Sequence, residues 1–293
     1  MSKKSLSTLL IFAEAVCFSL GGVIVKSIPW GAMAINGTRS LIAGLVILAY
    51  MKIRGHRVVF NKSVFLGGAM MCATSALYVY ANKLTTAASA IILQYTAPVF
   101  IILYMWAVFR KKPDRWDIAA IPVIACGVVC FFLDSLLGGG GSMLGNILAL
   151  ASGATYAVVF MMKMLPGSDN LSSVFTGCIL GAVIGCPFIL QETVFTPTAL
   201  GAVLALSVFQ FACAYICMAE GLEHTPPLTA SLISTIEPIL NPILAALVIG
   251  EELGKTALIG AAIVVVGIIA YNILKARFPS VSEDEPTATE NPV

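Results

Sequence analysis

The sequence predicts an all-α membrane protein whose ten transmembrane helices form two inverted five-helix repeats. Three observations predict this fold: ten apolar stretches, an uneven distribution of Lys and Arg between their connections, and an internal repeat. Of the 293 residues, 59% are hydrophobic and 11% are charged, whereas about 25% of the residues in ordinary soluble domains are charged. We therefore expect a lipid bilayer, and not water, around most of the surface.

The ten apolar stretches are the predicted membrane spans. A helix needs about 20 apolar residues to cross the hydrocarbon core of a bilayer. Such stretches occur at residues 5–27, 31–51, 63–82, 87–109, 115–133, 143–164, 172–190, 197–219, 227–249 and 255–274. They predict a first repeat at 5–133, a Gly-rich linker at 134–142 and a second repeat at 143–274. The acidic tail at 278–293 has few apolar residues, which predicts disorder.

Positive charges are concentrated on one side of the predicted membrane. With the amino terminus in the cytoplasm, thirteen of the 17 Lys and Arg residues lie in cytoplasmic segments: Lys3, Lys4, Lys52, Arg54, Arg57, Lys62, Arg110, Lys111, Lys112, Arg115, Lys163, Lys275 and Arg277. Because Lys and Arg are enriched in cytoplasmic loops, we expect a multi-pass plasma-membrane protein with both termini in the cytoplasm. The net charge of +2 gives no reason to expect nucleic acid as a partner.

The sequence has no residue pattern typical of a disulfide framework, a nucleotide-binding loop, a metal site or a catalytic site. All 8 cysteines fall within predicted spans, which favours a packing role over a disulfide framework. The sequence contains no phosphate-binding glycine loop, no His pair at metal-ligand spacing and no Ser/His/Asp arrangement. We therefore expect no catalytic residue, no metal site and no cofactor, and an ATP-driven pump is disfavoured.

The two halves of the sequence repeat each other. Superposing residues 85–128 on residues 225–268 without gaps pairs identical residues, among them Thr85/Thr225, Ala90/Ala230, Pro98/Pro238 and Gly127/Gly267. Because each unit has an odd number of spans, the second unit enters the membrane from the opposite side. Inverted repeats place a substrate site near the bilayer midplane and expose it alternately to each side. Transport is therefore the leading functional hypothesis.

Two dipeptides in the second repeat point to a known family. Glu237-Pro238 lies in its fourth span, and Gly250-Glu251 opens its final hairpin. In both features the chain resembles the EamA-type transporters of the drug/metabolite transporter superfamily, from about residue 9 to residue 274. The first repeat departs from the pattern at Lys111, which occupies the position matching Glu251. The resemblance implies efflux of a metabolite or amino acid, and it also admits uptake.

Two acidic residues are predicted near the middle of spans, Glu14 in the first and Glu237 in the ninth. A charge at the bilayer centre costs about 2.5–3.5 kcal/mol on insertion scales, so each residue is expected to face a cavity or a partner. Each could hold a proton in apolar surroundings and release it when the cavity opens to water, which would couple transport to protons. The alternative is a static hydrogen bond, or neutralisation by Arg39 or Lys26.

Further polar residues within the spans are candidates for substrate binding. Ser234, Glu237 and Asn241 share a helix face through their spacing, and Gln94 precedes Pro98 by one turn. The alternative role for Gln94, Ser234 and Asn241 is to fasten helices by hydrogen bonds. Pro98, Pro238 and Pro242 predict kinks, because proline removes a backbone hydrogen bond.

Aromatic and basic side chains could set the substrate class. Tyr78 and Asn82 share a face of the third span, and Tyr95 follows Gln94. Tyrosines that converge with Glu14 or Glu237 would favour a cationic or quaternary-amine substrate through cation–π contact. Otherwise an amino acid or neutral metabolite is expected.

The basic residues within the spans could bind substrate or have a structural role. Arg39 either binds a substrate carboxylate or pairs with an acidic side chain. Lys26 and Lys163 are expected to extend towards the membrane interfaces.

A secondary active transporter that works by alternating access is the favoured class. The expected partners are a small-molecule substrate, the lipid bilayer and protons, and a homodimer is left open. Efflux of an amino acid or related compound is the favoured activity, and uptake of a cationic amine or a nucleoside-like metabolite is its alternative. A membrane-embedded enzyme would carry a recognisable catalytic constellation, and a sensor would normally carry a soluble output domain.

Overall fold

The computed structural model describes residues 3–138, 141–221 and 233–278. We number the helices α1 to α10, and three of them consist of consecutive segments. They are α1 (Lys3–Ser19 and Gly21–Ser27), α2 (Ala32–Ile53), α3 (Lys62–Leu84), α4 (Ala87–Gln94 and Ala97–Ala107), α5 (Arg115–Leu136), α6 (Met143–Met161, followed by the 3₁₀ turn Met162–Met164), α7 (Asn170–Ile189), α8 (Pro197–Ala205, the π-helix Leu206–Cys213 and Ala214–Gly221), α9 (Ile236–Ile249) and α10 (Lys255–Arg277).

The predicted all-helical membrane fold is confirmed. In the described part of the chain, nine helices are long and apolar enough to cross a membrane, and α9 is a shorter apolar helix. Large apolar side chains are exposed on the outer surface, such as Val183, Leu247 and Val266, where lipid would cover them. Part of the predicted linker (139–140), the start of the predicted ninth span (227–232) and nearly all of the predicted tail (279–293) lie outside the described residues.

Most helices begin at a short polar residue that caps the free backbone N–H groups of the first turn. Such caps stabilise a helix by about 1 kcal/mol each. The side-chain oxygen accepts a hydrogen bond from a backbone N–H two or three residues later in six helices, at Asn61, Thr86, Asp114, Ser142, Asp169 and Thr196. Polar residues between the apolar runs therefore fix where α3 to α8 start.

The pattern of helix packing reflects the inverted repeat. Helix α3 packs against α6 of the other half, as α8 packs against α1. Two further contacts have equivalents in the other half. The contact of α4 with α6 corresponds to that of α9 with α1, and the contact of α3 with α7 corresponds to that of α8 with α2. Equivalent helices α2 and α7 pack against each other, and so do α5 and α10. The two five-helix units are thus related by a pseudo-twofold axis in the membrane plane.

Small residues set the contact between α2 and α7. A Cβ atom added to Gly37 would lie 2.7 Å from the Cα atom of Gly185, and one added to Gly44 would lie 3.1 Å from the Cβ atom of Cys178. The residue number falls on α7 as it rises on α2, so the helices are antiparallel. Their backbones approach this closely because no side chain separates them at Gly37 and Gly185.

We expect Gly37→Ala to lower the thermal stability of the purified protein, because the added methyl group meets backbone that cannot rotate away. Overpacking of this kind costs about 1–3 kcal/mol. The matched control is Gly201→Ala in α8, where an added Cβ meets no described atom within 4 Å. Since alanine favours a helix over glycine by about 1 kcal/mol in soluble hosts, this control should melt at the same temperature or higher. Equal melting temperatures for the two variants would contradict the α2–α7 packing.

Helices α5 and α10 are joined at both ends. At one end, the Asp134 carboxylate accepts a hydrogen bond of 3.2 Å from the backbone N–H of Ala257, in the first turn of α10. At the other, Lys275 lies 2.6 Å from Asp117 and 3.2 Å from Asp114. Burial opposes ionisation of Asp114, but the hydrogen bonds from the Asp117 backbone and Lys275 outweigh it and lower the pKa of this carboxyl. The α5–α10 pair is therefore held as one unit.

Candidate functional site

Breaks in two equivalent helices lie at the centre of the bundle. Helix α4 is interrupted at Tyr95 and Thr96, and helical geometry is interrupted at Thr235 just before α9. Superposition of the repeats places Tyr95 opposite Thr235. The two breaks lie next to each other in the structure, because the Tyr95 hydroxyl lies 3.0 Å from the carbonyl oxygen of Ser234.

The predicted kinks have different forms. Pro98 and Pro238 lie in the first turn of the segment that follows each break, where proline is tolerated because the missing N–H would have no helical partner. Both prolines therefore start a new helical segment and do not bend a continuous one. Pro242 lies inside α9.

A small cavity lies between the two halves. It is lined by side chains from seven helices, with Phe18, Arg39, Tyr78 and Gln94 from the first half and Tyr215 and Glu237 among those from the second. Its volume is about 40 Å³, which is room for a few water molecules. A metabolite would enter only if the helices separated.

The two predicted acidic residues are connected through Ser234 and Tyr95. Glu14 is 2% exposed and Glu237 is 6% exposed. The Ser234 hydroxyl donates a hydrogen bond of 3.1 Å to Glu14 Oε2. The Tyr95 hydroxyl lies 2.6 Å from Glu237 Oε2 and 3.0 Å from the Ser234 carbonyl oxygen. Two buried carboxyl groups on different helices are thus joined by a chain of polar contacts.

Gln94 belongs to a separate hydrogen-bonded chain. Its Nε2 atom donates to the Ser152 hydroxyl at 2.7 Å, and that hydroxyl donates to the Thr74 carbonyl at 3.2 Å. This chain joins α4 to α6 and α3, while the Gln94 side chain also lines the cavity. Gln94 therefore serves helix packing and is placed to contact a ligand.

Tyr78, Asn82 and Asn241 form a buried polar group beside the cavity. In the described part of the chain, the Tyr78 hydroxyl lies close to the side chains of Asn82 and Asn241, but these polar atoms make no hydrogen bond of good geometry. The Asn241 amide packs against the Cα of Gly22, where an added Cβ would lie 2.9 Å from Asn241 Oδ1. Unpaired buried polar groups are costly, so these side chains would gain partners in a conformation that admits water or substrate.

Arg39 is buried without an acidic partner. It is 2% exposed, and it forms no ion pair with any carboxylate of the described residues. The expected pairing with an acidic side chain is thus not seen. Its Nη2 atom donates to Asn36 Oδ1 at 3.1 Å and to the Ser75 hydroxyl, and its guanidinium carbon lies 4.6 Å from the centre of the Phe211 ring.

At one end of the bundle, Lys26 closes the space between α1, α4 and α9. Its Nζ atom lies 2.6 Å from Glu251 Oε1 and 2.7 Å from the Thr85 carbonyl oxygen. Glu251 Oε2 accepts a hydrogen bond of 2.7 Å from the backbone N–H of Ala87. The Lys26 side chain is thus held in a contact at this end of the bundle. The side chain of Lys163 lies outside the described structure.

A wider pocket lies at the opposite end of the bundle. Its volume is about 550 Å³, and it lies between the end of α2, the start of α7 and the end of α8, with Arg54, His56, Asp169 and Glu220 in its lining. Burial opposes ionisation of Asp169, but hydrogen bonds from Ser172 and His56 outweigh it and lower the pKa of this carboxyl. Contacts thus join the described helices at both ends, by Lys26 and Glu251 at one and by Arg54 and Glu220 at the other, and the wider pocket lies at the second end.

Sequence reasoning missed several residues of the site. Tyr156, Tyr215, Phe211 and Gln210 line the cavity, although tyrosines and phenylalanines in apolar spans give no signal of their own. Gln210 could have been found, because an amide in the middle of an apolar span needs a polar partner. It lies in the π-helix of α8, a wider helical form that is often found at functional sites.

Comparison with known proteins agrees with this architecture. The sequence profile of the EamA-like transporter family matches residues 5–133 and again residues 143–273. The chain is 28% identical over 285 residues to the uncharacterised transporter YwfM of Bacillus subtilis (strain 168), which covers 92% of this chain and 95% of that protein. It is 25% identical over 187 residues to solute carrier family 35 member G1 of Homo sapiens, which covers 58% of this chain and 51% of that protein.

A crystal structure with 21% sequence identity superposes with a TM-score of 0.66, over 94% of this chain and 99% of that chain. At this identity the likeness shows the shared fold. Because the family profile matches both halves of the chain, and these halves pack as inverted five-helix repeats, the protein belongs to the EamA-like transporter family and is a membrane transporter of the drug/metabolite transporter type.

Proposed function

We propose that the protein is a proton-coupled secondary transporter that exports an amino acid or a related small metabolite by alternating access. In this proposal it lies in the plasma membrane with both termini in the cytoplasm, so that the Lys26–Glu251 contact closes the outer end and the His56 pocket faces inward. The observation that carries the proposal is the chain from Glu14 through Ser234 and Tyr95 to Glu237, next to a cavity that both halves line.

The geometry around Tyr95 supports a protonated site. Its hydroxyl carries one proton but lies within hydrogen-bond distance of two oxygens, the Ser234 carbonyl and Glu237 Oε2. If Tyr95 donates to the carbonyl, the contact with Glu237 becomes a hydrogen bond only when Glu237 carries a proton and donates it. Binding and release of that proton would then change how α4 and α9 are held together.

Export by proton antiport follows from alternating exposure of these groups. A carboxyl group that gains a proton from the outside and loses it to the cytoplasm can drive the opposite movement of a substrate, if the substrate and the proton bind in alternation. The cavity has room for only a few water molecules in this conformation, so the substrate would bind in a conformation in which the two halves lie further apart.

The cavity lining favours two classes of substrate. Glu237 together with the rings of Phe18, Tyr156 and Tyr215 would bind an ammonium group through charge and cation–π contact. An amino acid carries such a group, and a cationic amine, the second candidate, carries it as well. The aromatic rings by themselves do not separate the two.

Purified protein in sealed liposomes tests this function. We would load the liposomes with an equimolar mixture of the common amino acids, make the outside acidic, and identify the released compounds by mass spectrometry. We expect at least one amino acid to leave several-fold faster with the gradient than without it, and protein-free liposomes to release none selectively. Release of no amino acid, or release that a proton ionophore leaves unchanged, would contradict the proposal.

A further inference from the structure

We infer that Arg39 is the binding site for a substrate carboxylate, so that the transported compounds are carboxylate-bearing, with the α-amino acids as the favoured class. The inference rests on the proposed transport function and specifies its substrate class. It depends on three features of Arg39: its burial, its missing counter-ion, and its place in the same cavity as Glu237.

The surroundings of Arg39 leave its positive charge without an anion. A buried charge is costly unless an opposite charge accompanies it, yet no described carboxylate lies in contact with this guanidinium. The groups that do contact it are neutral oxygens of Asn36 and Ser75 and the face of the Phe211 ring. The electrostatic partner of Arg39 is therefore missing from its described neighbours.

The guanidinium also has spare hydrogen-bonding capacity. An arginine side chain has five N–H donors, and those with contacts to protein oxygens are on Nη2. The Nε atom is buried and has no partner in the described structure. A carboxylate accepts two parallel hydrogen bonds from a guanidinium, so a bound carboxylate would satisfy the Nε donor and supply the missing charge.

Neighbouring groups hold Arg39 ready for such a ligand. The Ser75 hydroxyl donates to Asn36 Oδ1 at 2.6 Å, and Nη2 of Arg39 contacts both side chains. This arrangement fixes the guanidinium between α2 and α3 from one edge. Asn36 and Ser75 act as positioning residues in this account, because they orient the group that touches the substrate.

Glu237 would favour those carboxylate-bearing compounds that also carry an ammonium group. It lines the same cavity as Arg39 but comes from the other half of the protein. A compound with a carboxylate for Arg39 and an ammonium group for Glu237 would bridge the two halves, with its apolar part among the aromatic rings. A purely cationic amine lacks the carboxylate and would be repelled by Arg39.

Equilibrium binding to the wild-type protein in detergent tests the inference without a membrane or a gradient. The probes are leucine, phenylalanine and threonine, each with its amide and its decarboxylated amine, measured by isothermal titration calorimetry at neutral pH. We expect at least one amino acid to bind, and its amide and amine to bind about tenfold more weakly or worse, because each loses hydrogen bonds to a charged group. Equal binding of amide and amino acid, or binding of none of the three amino acids, would overturn the inference.

Substitutions locate the effect at Arg39. We expect Arg39→Gln to reduce amino-acid affinity by about tenfold or more and to remove the preference over the amide, with Arg39→Lys intermediate because lysine keeps the charge and loses the two-pronged geometry. The matched control is Arg115→Lys, since Arg115 also stacks on an aromatic ring, that of Trp116 at 4.6 Å, and is exposed outside the cavity. A Gln variant that binds and discriminates like the wild type would also overturn the inference.

The two proposals can fail separately. Carboxylate-selective binding combined with release that ignores the pH gradient would leave the Arg39 site and overturn proton coupling. Gradient-driven release of amines or amides without their parent amino acids would leave coupling and overturn the Arg39 site.

Discussion

We expect Glu14→Gln to abolish the response of substrate flux to a pH gradient. Exchange of labelled for unlabelled substrate at equal pH should continue at the wild-type rate. Glutamine keeps the size of glutamate and an oxygen that can accept the hydrogen bond from Ser234, but it cannot take up a proton. We expect gradient-driven release to fall to the rate seen without a gradient, because a side chain that cannot bind a proton cannot couple proton movement to the substrate. Exchange needs only the conformational change, so it reports that the variant is folded and active.

Glu237→Gln is expected to have a second defect. It removes the proton site and also the negative charge that faces the substrate ammonium group, so both driven release and binding should weaken. Tyr95→Phe removes the hydroxyl that links Glu237 to Ser234 and should reduce driven release with little change in binding.

The control for both acidic positions is Glu252→Gln. This residue is exposed and lies outside the cavity lining, so the variant should transport as the wild type does. Full gradient-driven release by Glu14→Gln would contradict the coupling role of that residue.

Breaking the Lys26–Glu251 contact is expected to open the end of the bundle that the proposed topology places outside the cell, which we call the outer end. Lys26 Nζ bonds Glu251 and the Thr85 carbonyl, and Glu251 also accepts from Ala87 N–H, so one ion pair joins α1, α4 and α9. Its side chains are only 23% and 13% exposed, so the pair is intermediate between a surface pair and a buried pair. Surface pairs contribute less than about 1 kcal/mol to stability, and disrupting a buried pair costs about 3–5 kcal/mol. A loss in this range would shift the balance between open and closed states by about tenfold or more.

A cysteine at position 82 measures this opening. Asn82 is buried beside Tyr78, and we expect its side chain to become hydrated when the outer end opens. In a variant whose native cysteines are replaced, we expect a membrane-impermeant thiol reagent added outside to label Asn82→Cys slowly. Adding Glu251→Gln should raise the labelling rate by about tenfold.

Charge reversal supplies the control for the ion pair. Lys26→Glu combined with Glu251→Lys restores opposite charges and should return labelling towards the original rate, whereas either reversal alone should not. Glu252→Gln, at the neighbouring exposed position, should leave labelling unchanged. If Glu251→Gln and Glu252→Gln label at the same rate, the contact does not hold the outer end closed.

The fold could be predicted because its determinants are local in the sequence. Apolar runs of about 20 residues specify spans, and polar capping residues such as Asn61 and Asp169 mark where helices begin. The pairing of Pro98 with Pro238 predicted equivalent bends, and the structure has breaks at equivalent places next to both prolines.

The site could be predicted only in part, because its contacts join residues that are far apart in the sequence. Glu14 and Glu237 stand out as acids within apolar spans, but their connection through Ser234 and Tyr95 depends on how α1, α4 and α9 pack. Lys26 and Glu251 are 225 positions apart, and no local pattern relates them.

Reversing the pH gradient tests the central claim, proton-coupled transport, most directly. The purified protein is placed in liposomes with the same concentration, inside and outside, of an amino acid that it binds. Three conditions are compared: acid outside, equal pH on both sides, and acid inside. The account predicts net amino-acid release in the first case, no net movement in the second and net uptake in the third. The same flux in all three conditions would contradict it.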